Sequence, residues 1–307
     1  MSRTRRIQHT VRRICLIAAL ACVASAAFST ARAATPRGEP TAVARLEIHY
    51  QANGDRTRIA YLLLPRWYGP SDDPPIPLVI APHGAGPGPF LELARAWGDL
   101  PGRGGFAVVI PEGQGRVLAH YSWGWSGQID DLARMAAIVE GAVSWLHVDR
   151  RRVYAVGGSM GGQESLLLAA RHPKLLAGVV SFDAPGDMAL RYRQYAQLAD
   201  GAFMQGLLRT EIGGTPDGDA AAYAARSPVD VAGAIARSGV PVQIWWSTRD
   251  RLVVDQRLHS GRLYAELRHL SPEARVAEVV GTWPHTAEMR WDRRLPDALR
   301  FLGLLRR

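Results

Sequence analysis

The sequence predicts an α/β fold, in which helices cover both faces of a mostly parallel central sheet and a small helical insertion interrupts the pattern. Strand and helix patterns alternate over most of the 307 residues, and this alternation is typical of parallel sheets. Short continuous apolar runs, such as residues 78–81, are typical of strands buried on both faces. A glycine-rich turn at residues 157–162 joins a strand pattern to a helix pattern.

The first 33 residues have the pattern of a secretory signal peptide. They begin with arginines and no acid, continue with an apolar run over residues 14–28, and end at Ala31-Arg32-Ala33, a small-x-small cleavage site. The run is shorter than the roughly 20 residues that a spanning helix needs. We therefore expect residues 1–33 to be removed, leaving 34–307 as a single domain that is secreted or held in the periplasm or cell envelope without a stable membrane span.

Composition excludes several functions. Removal of residues 1–33 takes six arginines from a formal net charge of +9, and no basic stripe with interleaved aromatics remains, so no nucleic-acid partner is predicted. Both cysteines, Cys15 and Cys22, lie in the segment to be removed, which excludes a disulfide and a catalytic thiol. No cluster has metal-ligand spacing, so no metal and no cofactor are predicted.

The elements follow in order along the chain. A hairpin is predicted from Leu46–Tyr50 and Arg58–Leu64 around an Asn53-Gly54 turn. Further strands are predicted at 78–81, 106–110, 153–156, 178–182, 242–248 and 275–280, and helices at 129–146, 164–171, 256–269 and 291–305. Residues 187–237 break the alternation, with a helical pattern over 188–208, and are either a lid insertion or a longer crossover.

The turn Gly157-Gly158-Ser159-Met160-Gly161-Gly162 has the G-x-S-x-G pattern between a strand and a helix. Such a turn lifts a serine clear of the sheet edge, and the small neighbours let strand and helix approach closely. Ser159 is therefore the predicted nucleophile. A serine hydroxyl is weak at neutral pH, so it needs a histidine base and a carboxylate that orients the histidine.

The acid is predicted from its place after a strand. Asp250 leaves the carboxyl end of the 242–248 strand, at the edge that carries Ser159. Asp255 is the rival, but it begins the next helix and has the pattern of a cap.

The base is chosen from the histidines that follow Asp250. His285 follows the last strand in a turn and is the predicted base, whereas His259 and His269 lie within a predicted helix as surface or packing residues.

The oxyanion hole needs backbone N–H groups that point at the developing negative charge. Met160, directly after the nucleophile, is one predicted donor. The second is expected from the glycine-rich loop after the 78–81 strand, either Gly84 or Ala85. His83 in this loop is expected to anchor the turn by hydrogen bonding.

These pieces resemble the α/β-hydrolase superfamily over roughly residues 75–305. Residues 148–156 lead into the turn at Ser159, which we call the elbow, and they are similar to the catalytic domains of the prolyl oligopeptidase family. The resemblance implies the fold and the triad roles, and it admits both esterases and peptidases. Only about 40 residues lie between Ala34 and the first core strand, too few for a propeller domain, which favours a small secreted esterase of the dienelactone-hydrolase-like group.

Substrate signals are few. Trp123 and Trp125 follow the 106–110 strand, and Trp283 lies two residues before His285, so the three are candidates for an aromatic wall around an ester, with ordinary packing as the alternative. Trp245 and Trp246 alternate on one strand and are expected in the core.

The sequence thus predicts a secreted serine esterase that acts on a small-molecule ester through an acyl-enzyme. A serine peptidase of the prolyl oligopeptidase type, with a peptide substrate, is one alternative. A non-catalytic binding protein on the same scaffold is another, and it would not need an intact triad. The oligomeric state is not predicted.

Overall fold

The computed structural model describes residues 41–54, 56–70, 74–85, 89–113 and 123–306. The predicted signal peptide, residues 1–33, lies outside the described residues. Among the described residues, no helix combines the length and the apolar character needed to cross a membrane.

Eight strands form one sheet in the order β1-β2-β4-β3-β5-β6-β7-β8. The first two strands make the predicted hairpin, and β2 also pairs antiparallel with β4, whereas every later pairing is parallel. The strands are β1 Val43–Ala52, β2 Arg56–Pro65, β3 Ile76–Ile80, β4 Ala107–Pro111, β5 Val148–Gly158, β6 Gly178–Phe182, β7 Val242–Ser247 and β8 Val276–Gly281. The predicted α/β fold is confirmed.

Helices cover both faces of the sheet. They are α1 Pro89–Ala96, α2 Leu100–Gly104, α3 Ser126–Ala133, α4 Met135–Ala142, α5 Met160–Arg171, α6 Met188–Tyr195, α7 Gly201–Leu208, α8 Ala220–Ala224, α9 Ala232–Ser238, α10 Ser260–Leu270 and α11 Leu295–Phe301. A π-helix, Arg209–Gly213, and a 3₁₀-helix, Gln256–Leu258, complete the described set.

Alternate side chains of the central strands enter two separate cores. Leu78 and Ile80 of β3 pack with helices α3, α4, α5, α9 and α10 on one face, while Val79 packs with α1, α2 and α11 on the other. Trp245 and Trp246 are buried on opposite faces, as predicted. Because burial on both faces removes these strands from water, their sequences are continuously apolar.

Helix lengths differ from the predictions for local reasons. The 129–146 pattern is two helices, because Arg134 has φ −87° and ψ −5° between them and Val143 is extended. The predicted closing helix begins only at Leu295, with Pro296 in its first turn, where a proline costs no hydrogen bond. His259 interrupts the predicted 256–269 helix.

Residues 188–238 connect β6 to β7 through helices α6 to α9, and the predicted 188–208 helix is divided between α6 and α7. Met188, Tyr195, Leu208, Ile212 and Tyr223 of this segment form a third apolar cluster. The same cluster contains Trp123 and Met160, the residue after the predicted nucleophile. The segment therefore packs directly beside the elbow.

Candidate active site

The elbow at Ser159 is a sharp turn between β5 and α5. Ser159 has φ 56° and ψ −126°, a conformation that is strained for a residue with a side chain, and its backbone N–H donates to the Phe182 carbonyl at 2.8 Å. A Cβ on Gly161 would lie 2.0 Å from the Pro82 carbonyl oxygen, so only glycine allows this approach. The glycine therefore brings helix α5 against the loop after β3.

Asp250 and His285 form a hydrogen-bonded pair at the same edge of the sheet. Asp250 follows β7 and His285 follows β8, and the distance from His285 Nδ1 to Asp250 Oδ2 is 2.7 Å. Because Nδ1 is engaged by the carboxylate, Nε2 is the ring nitrogen left for proton transfer to and from a nucleophile.

The Asp250 carboxylate is held from several sides. Oδ1 accepts from the backbone N–H groups of Leu252 and Val253, and Oδ2 also accepts from the Gln256 side chain. Burial alone would raise the pKa of Asp250, but the hydrogen bonds and the charge of His285 outweigh it and lower the pKa below its ordinary value. The carboxylate is thus ionised and fixed at neutral pH.

The other candidates for acid and base lie elsewhere. Asp255 occupies the predicted cap position, as the N-cap residue of the 3₁₀-helix with φ 52°, although its side chain makes no cap hydrogen bond. His259 is fully buried and its Nε2 lies 2.9 Å from the Gln194 Oε1 atom. Burial lowers the pKa of His259 to about 4, so this ring is neutral and structural.

The predicted oxyanion donors surround Ser159. Met160 is the first residue of α5, whose N-terminus carries partial positive charge. A Cβ on Gly84 would lie 3.7 Å from the Ser159 Cβ, which places the Gly84 backbone beside the nucleophile, and Ala85 follows it along the cavity. The His83 ring nitrogens lie 2.6 and 2.5 Å from the Gly84 and Glu112 carbonyl oxygens, consistent with an anchor for this loop.

Ser159 and His285 line the same cavity, whose volume is about 630 Å³. Its walls come from the strand-end loops and from helices α1, α6 and α7. Besides the two catalytic candidates, the lining includes Gly84, Ala85, Leu93, Trp123, Arg191, Tyr195, Leu198, Met204, Leu252 and Met289. The wall is mostly apolar, and this is typical of small-molecule sites.

Of the three tryptophans predicted to contact substrate, only Trp123 lines this cavity. Trp125 lies at the start of α3, with its ring packed over Gly127. Trp283 is buried against Trp245, with ring centroids 6.1 Å apart. Ordinary packing, the alternative for these rings, describes Trp125 over Gly127 and Trp283, whose indole donates to Asp183, while contact of either ring with a substrate stays a prediction.

Asp183 is a site residue that the sequence reasoning missed. It follows β6 with φ 46° and is fully buried. Its Oδ2 accepts from the Trp283 indole at 2.9 Å and from the Thr286 N–H at 2.7 Å, and its Oδ1 accepts from the Ser247 N–H. Asp183 thus holds the turn that carries His285. The signal available in the sequence was an acid directly after the strand that follows the nucleophile.

The pKa of Asp183 is raised to about 6. Burial is the main cause and the negative charge of Asp250 adds to it, while the hydrogen bonds from Thr286 and Trp283 act in the opposite direction. Asp183, Asp250 and His285 bring potential ligand atoms within 4.8 Å of one another. Protein hydrogen bonds already engage these carboxylates, so the cluster is better described as a hydrogen-bonded network than as a metal donor set.

A second buried acid, Glu164, holds the turn that presents Trp123. Glu164 lies on α5, and its Oε1 accepts from the Gly124 N–H at 3.3 Å. Trp123 has φ 55°, so its backbone needs support, and the Gln163 side chain donates to its carbonyl oxygen. Burial raises the pKa of Glu164 to about 7.

Comparisons with known proteins agree with this architecture. The family model described as "alpha/beta hydrolase fold" matches residues 119–212, a segment that contains the elbow. No curated protein matches the sequence.

Solved structures with the same fold include proteins named as peptidases and a protein named as a hydrolase. A Mycobacterium tuberculosis puromycin-hydrolyzing peptidase has a TM-score of 0.66 and 21% identity, over 86% of this chain and 39% of its own. Porphyromonas gingivalis dipeptidyl peptidase 4 has a TM-score of 0.60 and 16% identity, over 84% and 35%. Staphylococcus aureus S-formylglutathione hydrolase has a TM-score of 0.61 and 15% identity, over 85% and 99%.

The chain therefore spans about two fifths or less of the two peptidase chains and nearly all of the S-formylglutathione hydrolase chain. At these identities the likeness concerns the fold. The sheet order, the turn at Ser159 and the family model that matches residues 119–212 together show that the chain has the alpha/beta-hydrolase fold.

Proposed function

We propose that this protein is a serine hydrolase that cleaves carboxylic esters through an acyl-enzyme on Ser159. The observation that carries the proposal is the His285–Asp250 hydrogen bond at the cavity that Ser159 also lines, where Ser159 has the strained backbone of a nucleophile elbow. Strain of this kind is maintained where the surrounding structure requires it, most often at functional sites.

The reaction follows from the positions of these groups. Ser159 Oγ attacks the ester carbonyl carbon while its proton moves to His285 Nε2, and Asp250 stabilises the imidazolium. Backbone N–H groups of Met160 and of the Gly84–Ala85 loop stabilise the oxyanion. His285 then protonates the leaving oxygen, and the alcohol departs. A water molecule, deprotonated by the same nitrogen, attacks the acyl carbon, and the acid is released as His285 returns the proton to Ser159 Oγ.

A serine peptidase is the second candidate, and the observation in its favour is that several proteins of similar fold are named peptidases. Amide cleavage needs protonation of a poorer leaving group at the same Nε2. Glu92 and Asp200 also line the cavity, where an exposed acid is able to bind an amino terminus.

The test is steady-state hydrolysis by residues 34–307 and by a Ser159→Ala variant. Substrates are p-nitrophenyl esters from acetate to decanoate, methyl ferulate, and Gly-Pro and Ala anilides. We expect ester turnover that falls by roughly 10³-fold or more in the variant. Anilide turnover of comparable efficiency would move the protein to the peptidase class, and equal ester turnover in both proteins would remove Ser159 from the mechanism.

We also propose that residues 1–33 direct export and are then removed. The support is the basic opening, the short apolar run and the Ala31-Arg32-Ala33 site. Expression of the full chain in a bacterial host, followed by intact-mass measurement of the exported protein, is expected to give a chain that begins at Ala34. A product of full mass that stays with the membrane would contradict the proposal.

A further inference from the structure

Arg191 places a buried positive charge in the wall of the cavity that Ser159 lines. It lies on α6 and is only 5% exposed, yet it is part of the cavity lining. Its Nη1 donates to the Leu252 carbonyl oxygen at 2.9 Å, and its Nε has no hydrogen-bond partner among the described residues. A guanidinium has five N–H donors, and Nε is among those that remain available for a ligand.

No carboxylate of the described residues forms a salt bridge with Arg191. Asp250 contributes to its electrostatic environment, but that carboxylate is already bound to His285. Residues 86–88 and 114–122, which adjoin cavity-lining residues in sequence and lie outside the described ranges, contain no Asp or Glu. Because a buried charge without an opposite charge costs free energy, an anion bound at this position would be favoured.

Aromatic rings supply part of the missing stabilisation. The guanidinium carbon lies 5.6 Å from the Trp123 ring centroid and 4.7 Å from that of Tyr195. Cation–π contacts of this kind offset desolvation while leaving the planar edge of the guanidinium able to bind an anion. Trp123 and Tyr195 also line the cavity, so the three side chains form one surface toward the substrate.

The other carboxylates and guanidinium groups among the described lining residues are exposed. Glu92 and Asp200 are solvent-exposed, and the exposed Arg290 pairs with Asp292 at 3.0 Å. Water and salt screen such groups, whereas a buried charge acts at low dielectric. Arg191 therefore dominates the charge preference of the described part of the cavity wall.

We propose that Arg191 binds a carboxylate of the substrate, so that the enzyme prefers esters that carry a second, ionised carboxyl group. This inference rests on the proposed serine-hydrolase function and names its substrate class. The carboxylate belongs either to the acyl part, as in a hemiester of a dicarboxylic acid, or to the leaving group, and the experiment has an arm for each.

The acyl arm compares 4-nitrophenyl hydrogen adipate with the neutral methyl 4-nitrophenyl adipate. The leaving-group arm compares 4-acetoxybenzoate with methyl 4-acetoxybenzoate. The variants are Arg191→Met and Arg191→Lys, with Arg193→Met as the matched control, because Arg193 is exposed on the same helix and contacts Asp217 at 3.8 Å. Thermal unfolding midpoints accompany every variant.

In one of the two arms, wild type is expected to prefer the charged substrate. In that arm Arg191→Met should lower kcat/KM for the charged substrate by about tenfold or more, the range expected for a lost hydrogen bond to a charged group, mainly through KM. The neutral substrate should change less than about threefold. Arg191→Lys should recover part of the preference, and Arg193→Met should match wild type.

Two results would overturn the proposal. One is a preference of the wild type for the neutral ester in both arms. This result is obtained with the wild type alone and does not depend on whether a variant folds. The other is an equal fall for charged and neutral esters in Arg191→Met, which would mean that Arg191 only supports the Asp250 loop through Leu252. Failure of the proposed function would look different, since no ester would then be turned over by any variant.

Discussion

Two regions line the same cavity and differ in how their polar groups are satisfied. The triad edge, which we define as Ser159, Asp183, Asp250 and His285, lies where strands β5 to β8 end, and its carboxylates accept several hydrogen bonds each. The insertion wall, which we define as the cavity-lining residues of α6, α7 and their connection, is mostly apolar and holds the incompletely paired Arg191. Side chains that take part in the reaction need their positions fixed by protein hydrogen bonds before the substrate binds. Side chains that bind the substrate obtain their remaining hydrogen bonds from the substrate itself.

Variants of the two regions should therefore differ in their effect on substrates. A change at the triad edge should lower turnover of all substrates alike, and a change in the insertion wall should alter the ratio between substrates. The following variants are ordered by the size of the expected effect.

Asp250→Asn should have the largest effect of the three. An amide in place of Oδ2 would face the His285 ring with a donor, which favours the wrong tautomer and leaves the imidazolium without its counter-charge. We expect kcat to fall by about 10³-fold or more, equally for neutral and carboxylate-bearing esters. A loss of turnover for only one of the two ester classes would contradict the division of roles between the two regions.

Asp183→Asn should have an intermediate effect, because Asp183 is a positioning residue that acts through the Trp283–Thr286 turn. All three donors point at its oxygens, so an amide NH₂ would repel at least one of them. We expect kcat to fall on the order of 10- to 100-fold, with little change in KM.

A purely structural role for Asp183 would not move the pH profile. Removing one of two negative charges near His285 should shift the acid limb of the kcat/KM profile to lower pH. Asp217→Asn, at an exposed position, is the control and should behave as wild type. If the acid limb is unchanged while kcat is lower, Asp183 only supports the turn and has no electrostatic effect on His285.

Glu164→Gln should leave activity nearly unchanged and alter the pH dependence of stability. The pKa of Glu164 is about 7 in the folded chain, against an ordinary value of 4.5, so the unfolded chain loses this proton first as pH rises. The folded state is therefore penalised progressively between these values, by about 3 kcal/mol once both states are ionised.

The variant tests the predicted direction of this change, a loss of unfolding free energy as pH rises. Chemical denaturation at pH 5 and pH 8 should show that wild type loses more unfolding free energy over this interval than Glu164→Gln does. A glutamine oxygen still accepts from the Gly124 N–H, so the Trp123 turn should persist. A steeper loss in the variant would contradict burial as the cause.

The contrast between the regions also explains what the sequence could reveal. The sheet was predictable because its buried central strands are continuous apolar runs. Ser159 and Asp250 could be named because each follows such a strand, and His285 because it follows the last strand, β8, which lies at the sheet edge and is only partly buried. Asp183 follows a strand as well, but its partners come from the end of β7 and from the turn after β8, so its role emerges only from their approach in space.

The residues of the insertion wall do not follow strands, so no sequence rule of this kind identifies them. Arg191 lies in a helix between β6 and β7 whose charged side chains look like an ordinary solvated face, and only the packing of Trp123, Tyr195 and Leu252 around it shows that it is buried. The packing of Trp125 and Trp283 shows the same limit, since nearness in sequence to the triad does not determine which way a ring packs.

The most direct measurement of the central claim is the intact mass of residues 34–307 after incubation with a fluorophosphonate, compared with Ser159→Ala and His285→Gln. Wild type should gain one phosphonyl group, mapped by peptide mass to Ser159. Ser159→Ala should gain none, and His285→Gln should react far more slowly because the hydroxyl has lost its base. Labelling of Ser159→Ala at the wild-type rate, or no labelling of wild type, would contradict a nucleophilic Ser159 activated by His285 and Asp250.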